Sequence, residues 1–153
     1  MSSIVQDLNT KLINYDDTWA NEVRDRFCRK EENIRETEHR FFSQYWQGFA
    51  WAAIIGFIKD RRTPLDPKTK NSSFRFQVIT NNAPKIADAL ILLAIAKSGS
   101  NYEILMQPDE IATIMSEYAK GGAEYIKEIR ETPETENFFD NEDDFRNELL
   151  DRK

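Results

Sequence analysis

The side chains best suited to chemistry are the bases that follow the most apolar segment of the chain. Positions 59 to 75 carry six bases and two acids, a local charge of +4. The bases are Lys59, Arg61, Arg62, Lys68, Lys70 and Arg75. Paired arginines suit phosphate or carboxylate because each guanidinium donates hydrogen bonds in a planar fork. The segment, here called the basic turn, predicts either a phosphate or nucleic-acid contact or cations that meet the C-terminal end of the preceding helix.

Other reactive side chains give weaker signals. The chain has one histidine, His39, and one cysteine, Cys28, whereas a Cys/His metal site needs several such ligands. We interpret Cys28 as a small core residue and predict no catalytic residue, metal ligand or cofactor. The carboxylates of Glu110, Glu117 and Glu124 recur at seven-residue spacing. They indicate an exposed acidic stripe or, alternatively, the acidic metal site of a hydrolase.

Helices must position these residues. The chain has 153 residues, of which 40% are apolar, with only five glycines and five prolines. This composition favours one domain of long helices over a turn-rich β protein. Residues 41–58 form a nearly continuous apolar segment, which predicts a buried central helix. Two more core helices are predicted, one from about Pro84 to Lys97 and one from about Pro108 to Arg130.

Smaller features complete the predicted fold. Residues 1–16 suggest a short helix, and Asp16, Asp17 and Thr18 are candidate N-caps for a second helix over roughly 17–31. Phe74, Phe76 and Val78 alternate with polar residues, as in a strand. The pair Gly121-Gly122 predicts a break or tight bend in the last core helix. The fold class expected is all-α, with at most a small strand near 74–79.

A stripe of small residues runs along the central helix, at Gly48, Ala52 and Gly56. Small side chains spaced by four let another helix approach closely, although the rule comes from membrane proteins. The stripe therefore predicts a close helix crossing within the chain. The alternative is a homodimer contact.

Three features of the sequence indicate the cellular compartment of the protein. A single cysteine requires no oxidising environment, and the N-terminal sequence lacks the pattern of a signal peptide. The longest apolar runs, Phe49–Ile58 and Ala89–Ala96, are shorter than a membrane span. We therefore expect a cytoplasmic protein that does not enter a membrane.

The net charge of −6 belongs to the end of the chain. Residues 131–153 alone sum to −6, and residues 1–130 sum to zero. We divide the chain into a helical domain, 1–130, and an acidic amphipathic tail, 131–153. The tail also holds apolar side chains that a solubilising segment would not need, and these are candidates for docking a partner: Phe138, Phe139, Phe145 and Leu149. The tail would bind a basic partner, fold back on the basic turn, or pack weakly on the domain.

Two motifs resemble a small bacterial family, Dnd system-associated protein 4. One reads Arg61-Arg62-Thr63-Pro64-Leu65 after an apolar helix, and the other reads Glu117-Tyr118-Ala119-Lys120-Gly121-Gly122. The resemblance covers about residues 46–130. It implies a place among systems that put phosphorothioate groups into DNA and support phage defence, but it brings no catalytic residues with it.

Three functions follow as hypotheses. The first is a non-enzymatic accessory or interaction protein of a DNA-modification or phage-defence system, with a protein partner. The second is a nucleic-acid-binding module that uses the basic turn on DNA. The third is a hydrolase with an acidic metal site.

Overall fold

The computed structural model describes residues 2–28, 42–66, 70–99, 103–104 and 107–132. These residues are mainly helical, which confirms the predicted fold class. The elements in chain order are α1 (Ser2–Asn9), β1 (Leu12–Asp16), α2 (Asp17–Trp19), a π-helical segment (Ala20–Arg24), α3 (Asp25–Phe27), α4 (Tyr45–Lys59), β2 (Lys70–Arg75), α5 (Gln77–Asn82), α6 (Pro84–Lys97) and α7 (Pro108–Glu131). Within the described ranges, none of the helices combines the length and apolar content needed to cross a bilayer.

A two-stranded antiparallel sheet corrects two predicted boundaries. The predicted N-terminal helix ends at Asn9, and β1 follows it and pairs with β2, so that Leu12 lies opposite Arg75. The predicted strand near 74–79 begins earlier and ends at Arg75. Phe76 explains this end because its side chain is fully buried and its carbonyl accepts hydrogen bonds from the first turn of α5. The chain therefore enters a helix where alternation alone predicts further strand.

The helix predicted over 17–31 begins where expected. The Asp16 carboxylate caps it by accepting a hydrogen bond from the Thr18 backbone N–H, at 3.0 Å. Its described part passes through the π-helical segment and ends at Phe27. Cys28 then adopts an extended conformation and is fully buried, which confirms that it is a core residue. Residues 29–31 lie outside the described ranges.

The close crossing of α4 and α7 corrects the prediction for Gly121-Gly122. Helix α7 continues through both glycines without a break. A Cβ at Gly122 would collide with the carbonyl of Ala52, and one at Gly56 would collide with the carbonyl of Tyr118. The two backbones therefore touch only because these residues lack side chains, and this contact offsets the roughly 1 kcal/mol propensity cost of each helical glycine.

The same crossing decides between the two interpretations of the small stripe. Ala52 and Gly56 face α7 of the same chain. A Cβ added at Gly48 would collide with the Cys28 sulfur, also within the chain. The stripe is thus filled by intramolecular packing and offers no surface for a second copy.

Eight apolar side chains that the helical periodicity of α4, α6 and α7 predicts to face the core do share one apolar cluster. Phe57 and Tyr118 stack across the α4–α7 crossing with ring centroids 4.3 Å apart. Two members, Ile54 and Leu93, are only partly buried and pack against the edge of the cluster. The fully or nearly fully buried members are Trp46, Phe49, Phe57, Leu90, Ile114 and Tyr118. This core fixes the end of α4, and with it the start of the basic turn, against α7.

Candidate functional site

The basic turn leaves α4 through a left-handed residue. Asp60 has a φ of 54°, and the Arg61 backbone N–H donates to the carbonyl of Gly56 at 2.8 Å. The chain then runs along α7, where the Thr63 backbone N–H donates to the carbonyl of Glu117 at 3.2 Å. A Cβ at Gly121 would collide with the carbonyl of Arg61. The backbone of Arg61 to Thr63 therefore lies directly on α7.

Three consecutive side chains of the turn bind carboxylates of α7. Arg61 makes a two-pronged contact with Glu128, with Nη1–Oε2 and Nη2–Oε1 distances of 2.9 Å and 2.7 Å. Arg62 Nε donates to Glu117 Oε1 at 2.6 Å. Thr63 donates its hydroxyl hydrogen to Glu124. We call this set, Arg61, Arg62 and Thr63 with Glu117, Glu124 and Glu128, the arginine clamp.

Two of the three predicted acidic residues, Glu117 and Glu124, bind the basic turn. Glu117, Glu124 and Glu128 are spaced by seven and four, so they lie on one face of α7. The Glu117 side chain is only 14% exposed, so it is not part of a freely solvated stripe. Glu110 lies near the start of α7, is exposed, and takes no part in the clamp. Over the described ranges, no three Asp, Glu, His or Cys side chains form a group that could hold a metal ion.

Hydrogen bonding shifts the ionisation of the outermost clamp pair in the direction that favours both charges. The hydrogen bonds to Glu128 raise the pKa of Arg61 above its ordinary value. The same hydrogen bonds lower the pKa of the Glu128 carboxyl. Both side chains are partly exposed, at 33% and 61%, so solvent screens the pair. We expect it to contribute less than about 1 kcal/mol of stability.

Lys120 forms a second, deeper contact that the sequence analysis missed. Its Nζ lies 2.8 Å from Asp16 Oδ2, and the Asp16 side chain is fully buried. The same ammonium donates to the carbonyl of Pro64 at 3.0 Å. Lys120 therefore joins α7 to the end of β1 and to the basic turn. The two acids before the second helix suggested a cap, but no local pattern linked Asp16 to a lysine more than 100 residues away.

Comparison with known proteins identifies the family. The model of the family DNA sulphur modification system-associated protein 4 matches residues 30–139. The chain belongs to this family. No curated protein and no solved structure matches it. The sequence resemblance is thereby confirmed over a longer range than the motifs alone covered.

The two motifs that resemble the family lie in contact with each other in the structure. Arg61 to Leu65 and Glu117 to Gly122 lie 52 positions or more apart in the chain, yet they form one contact surface. The arginine clamp, Lys120 and both adjacent glycines fall within the matched range. Asp16 falls outside it, so the buried partner of Lys120 comes from the N-terminal part of the chain.

Of the remaining candidate phosphate-binding residues, Lys59 and Arg75 lie in the described part of the chain. The Lys59 ammonium lies over the ring of Tyr125, 5.1 Å from its centroid. Arg75 is exposed at the end of β2 and is paired through the backbone with Leu12. Lys68 and the side chain of Lys70 lie outside the described part of the chain. The basic turn is thus divided between the α7 surface and the sheet.

The candidate docking residues of the tail also lie outside the described ranges. They are Phe138, Phe139, Phe145 and Leu149. The family match ends between Phe139 and Phe145. Their role therefore stays a prediction from the sequence.

Proposed function

We propose that the protein is a non-enzymatic accessory component of a bacterial DNA sulphur modification and phage-defence system, which acts in the cytoplasm by binding a protein partner. Family membership supports the link to such a system. The interaction role is supported by the contacts that the side chains of the two motifs make within the chain.

One observation carries the interaction role: the charged side chains of the two motifs are bound by partners within the chain. Arg61 and Arg62 are held by Glu128 and Glu117, and Lys120 is held by Asp16. These groups stabilise the α4–α7 crossing, which supports a role in building a scaffold. A rigid scaffold that presents other surfaces is suited to binding a partner.

Co-purification with the modification system tests the proposal. The protein would be co-expressed with the other components encoded beside it, carrying an affinity tag, and recovered under native conditions. We expect one component to co-purify in a fixed ratio and DNA sulphur content or phage restriction to fall when the gene is deleted. If no component binds and neither phenotype changes on deletion, the proposal is wrong.

A second candidate function is nucleic-acid binding through the basic turn. The forked guanidinium groups of Arg61 and Arg62 favour it because such groups bind phosphate well. Phosphate would have to replace Glu128 or Glu117 at those groups, or bind beside them through Lys59 and Arg75. Removal of both arginines should then weaken DNA binding and flatten its salt dependence. Absence of wild-type binding at low salt would end this hypothesis.

A further inference from the structure

The solvent-facing side of α6 carries exposed apolar residues beside the two charged residues of its first turns, Lys85 and Asp88. Leu92 is 56% exposed and Ile86 is 36% exposed. Ala89 and Ala96 are exposed on the same side. The opposite side of α6 is buried in the core through Leu90, Ile91 and Ala94. From Ala89 to Ala96 every residue of α6 is apolar, a pattern typical of helices that are buried on all sides, so the exposed part of this stretch has the character of a docking surface.

We propose that this face binds the acidic tail of the same chain, chiefly through Phe145 and Leu149. The chain continues for 21 residues after Thr132. Phe138, Phe145 and Leu149 are spaced by seven and four, so a helix through this segment places all three on one side. Such a helix is about 17 Å long from 138 to 149, and the exposed face of α6 is about 15 Å long from 86 to 96. The two apolar surfaces therefore match in length.

The end of α7 lies near enough to α6 for the tail to reach it. Glu128, in the last turns of α7, is bound to Arg61. The neighbouring residue, Asp60, is bound by Lys97 at the end of α6, with a distance of 3.0 Å. Both helix ends thus attach to adjacent residues of the basic turn. The chain from Thr132 to Phe138 spans roughly 20 Å when extended, which suits an antiparallel docking of the tail on α6.

The contacts of the basic turn make it a poorer dock for the tail than α6. An acidic side chain of the tail would have to displace Glu128 from Arg61 or Glu117 from its own arginine. Such an exchange replaces one ion pair by another and gains little. Covering Leu92 instead removes apolar surface from water, which contributes about 25 cal/mol per Å². Docking of the tail on α6 is therefore more favourable than docking on the basic turn. This inference does not depend on which partner the protein binds.

Thiol labelling in the full-length chain tests this docking. Leu92→Cys would be alkylated in an otherwise wild-type tail and in a tail carrying Phe145→Asp and Leu149→Asp. If the tail covers α6 about nine-tenths of the time, the tail variant should label about tenfold faster, since the exposed fraction rises tenfold. Leu12→Cys is the matched control because Leu12 is 51% exposed on the sheet. The buried native Cys28 reports general unfolding.

Each outcome decides the proposal. Faster labelling at position 92 alone supports it, provided that the rate in the wild-type tail does not change on tenfold dilution. Protection that weakens on dilution would mean that a second copy covers α6, and the proposal would be wrong. Equal rates with both tails would also overturn it. So would a common acceleration at positions 12, 28 and 92, because the tail would then support the whole fold.

Discussion

The arginine clamp and the outer face of α6 are opposite kinds of surface. In the clamp, strongly polar side chains find their partners within the chain, as in the pair Arg62–Glu117. On α6, an apolar side chain such as Leu92 is left 56% exposed. A charged motif in this chain therefore marks a place where the fold is held together. Among these two surfaces, the apolar one is left exposed, and that difference directs the search for a docking surface away from the arginines.

The buried pair of Lys120 and Asp16 should give the largest effect. Lys120→Ala would leave a fully buried carboxylate without its cation, and such a change typically costs about 3–5 kcal/mol. Chemical denaturation would measure the loss in free energy of unfolding. Lys120→Met combined with Asp16→Asn removes both charges and should recover part of it. A loss below about 1 kcal/mol for Lys120→Ala would show that the pair is not buried as described.

The glycine crossing should give the next largest effect. Gly122→Ala places a Cβ against the carbonyl of Ala52, and overpacking of this kind costs about 1–3 kcal/mol. The change would otherwise stabilise a helix by about 1 kcal/mol, so a net loss is diagnostic. Ala89→Val, on the exposed side of α6, is a control that should cost less than about 0.7 kcal/mol. If Gly122→Ala raised the melting temperature, the close crossing would be contradicted.

Acid should weaken the outermost clamp pair. The folded-state pKa of Glu128 lies below its ordinary value of 4.5. Its stabilising contribution is therefore present above the unfolded-state pKa and is lost as the pH falls through the lower folded-state pKa. Glu128→Gln should cost less than about 1 kcal/mol at pH 7, because the pair is partly exposed.

The same comparison at low pH completes this test. Near pH 3 the difference in unfolding free energy between Glu128→Gln and wild type should shrink, since protonation removes the charge in the wild type as well. Glu131→Gln, in the same last turns of α7, serves as a control for loss of a carboxylate that lies outside the clamp. A difference that grew on acidification would contradict the direction of the pKa shift.

The outer face of α6 should give the smallest effect on stability. Leu92→Asp and Leu12→Asp each change a leucine that is about half exposed, and surface changes usually stay within about 0.5 kcal/mol. Limited proteolysis of the tail should separate them, because only Leu92 lies on the surface proposed to dock the tail. Equal cleavage of the tail in both variants would argue against α6 as its docking site.

The helices with long apolar patterns could be predicted from the sequence. The ranges of α4, α6 and α7 agree with expectation because many residues contribute to each pattern. The strand β1 could not be predicted, since its five residues alternate for too short a distance and depend on pairing with β2, more than 50 positions away. The continuity of α7 through Gly121-Gly122 was also missed, because Gly121 makes room for the carbonyl of Arg61 and Gly122 for that of Ala52, and neither glycine forms a local turn.

The candidate site could likewise be predicted only in part from the sequence. The sequence located Arg61 and Arg62 and noted the regular spacing of Glu117 and Glu124. It could not show that these two sets bind each other, because ion pairs across more than 50 residues leave no local pattern. The family resemblance includes both motifs in one sequence pattern, but it does not indicate that they touch.

A double-mutant cycle between Arg62 and Glu117 tests most directly the claim that the two motifs form one structural contact. Arg62→Met, Glu117→Gln and the double variant would be compared with wild type by chemical denaturation. A direct contact predicts a coupling energy of about 1 kcal/mol, in the range found for such residue pairs. It also predicts no gain in DNA affinity when Glu117 is neutralised. A coupling energy near zero, together with tighter DNA binding by Glu117→Gln, would contradict it and return the arginines to a phosphate-binding role.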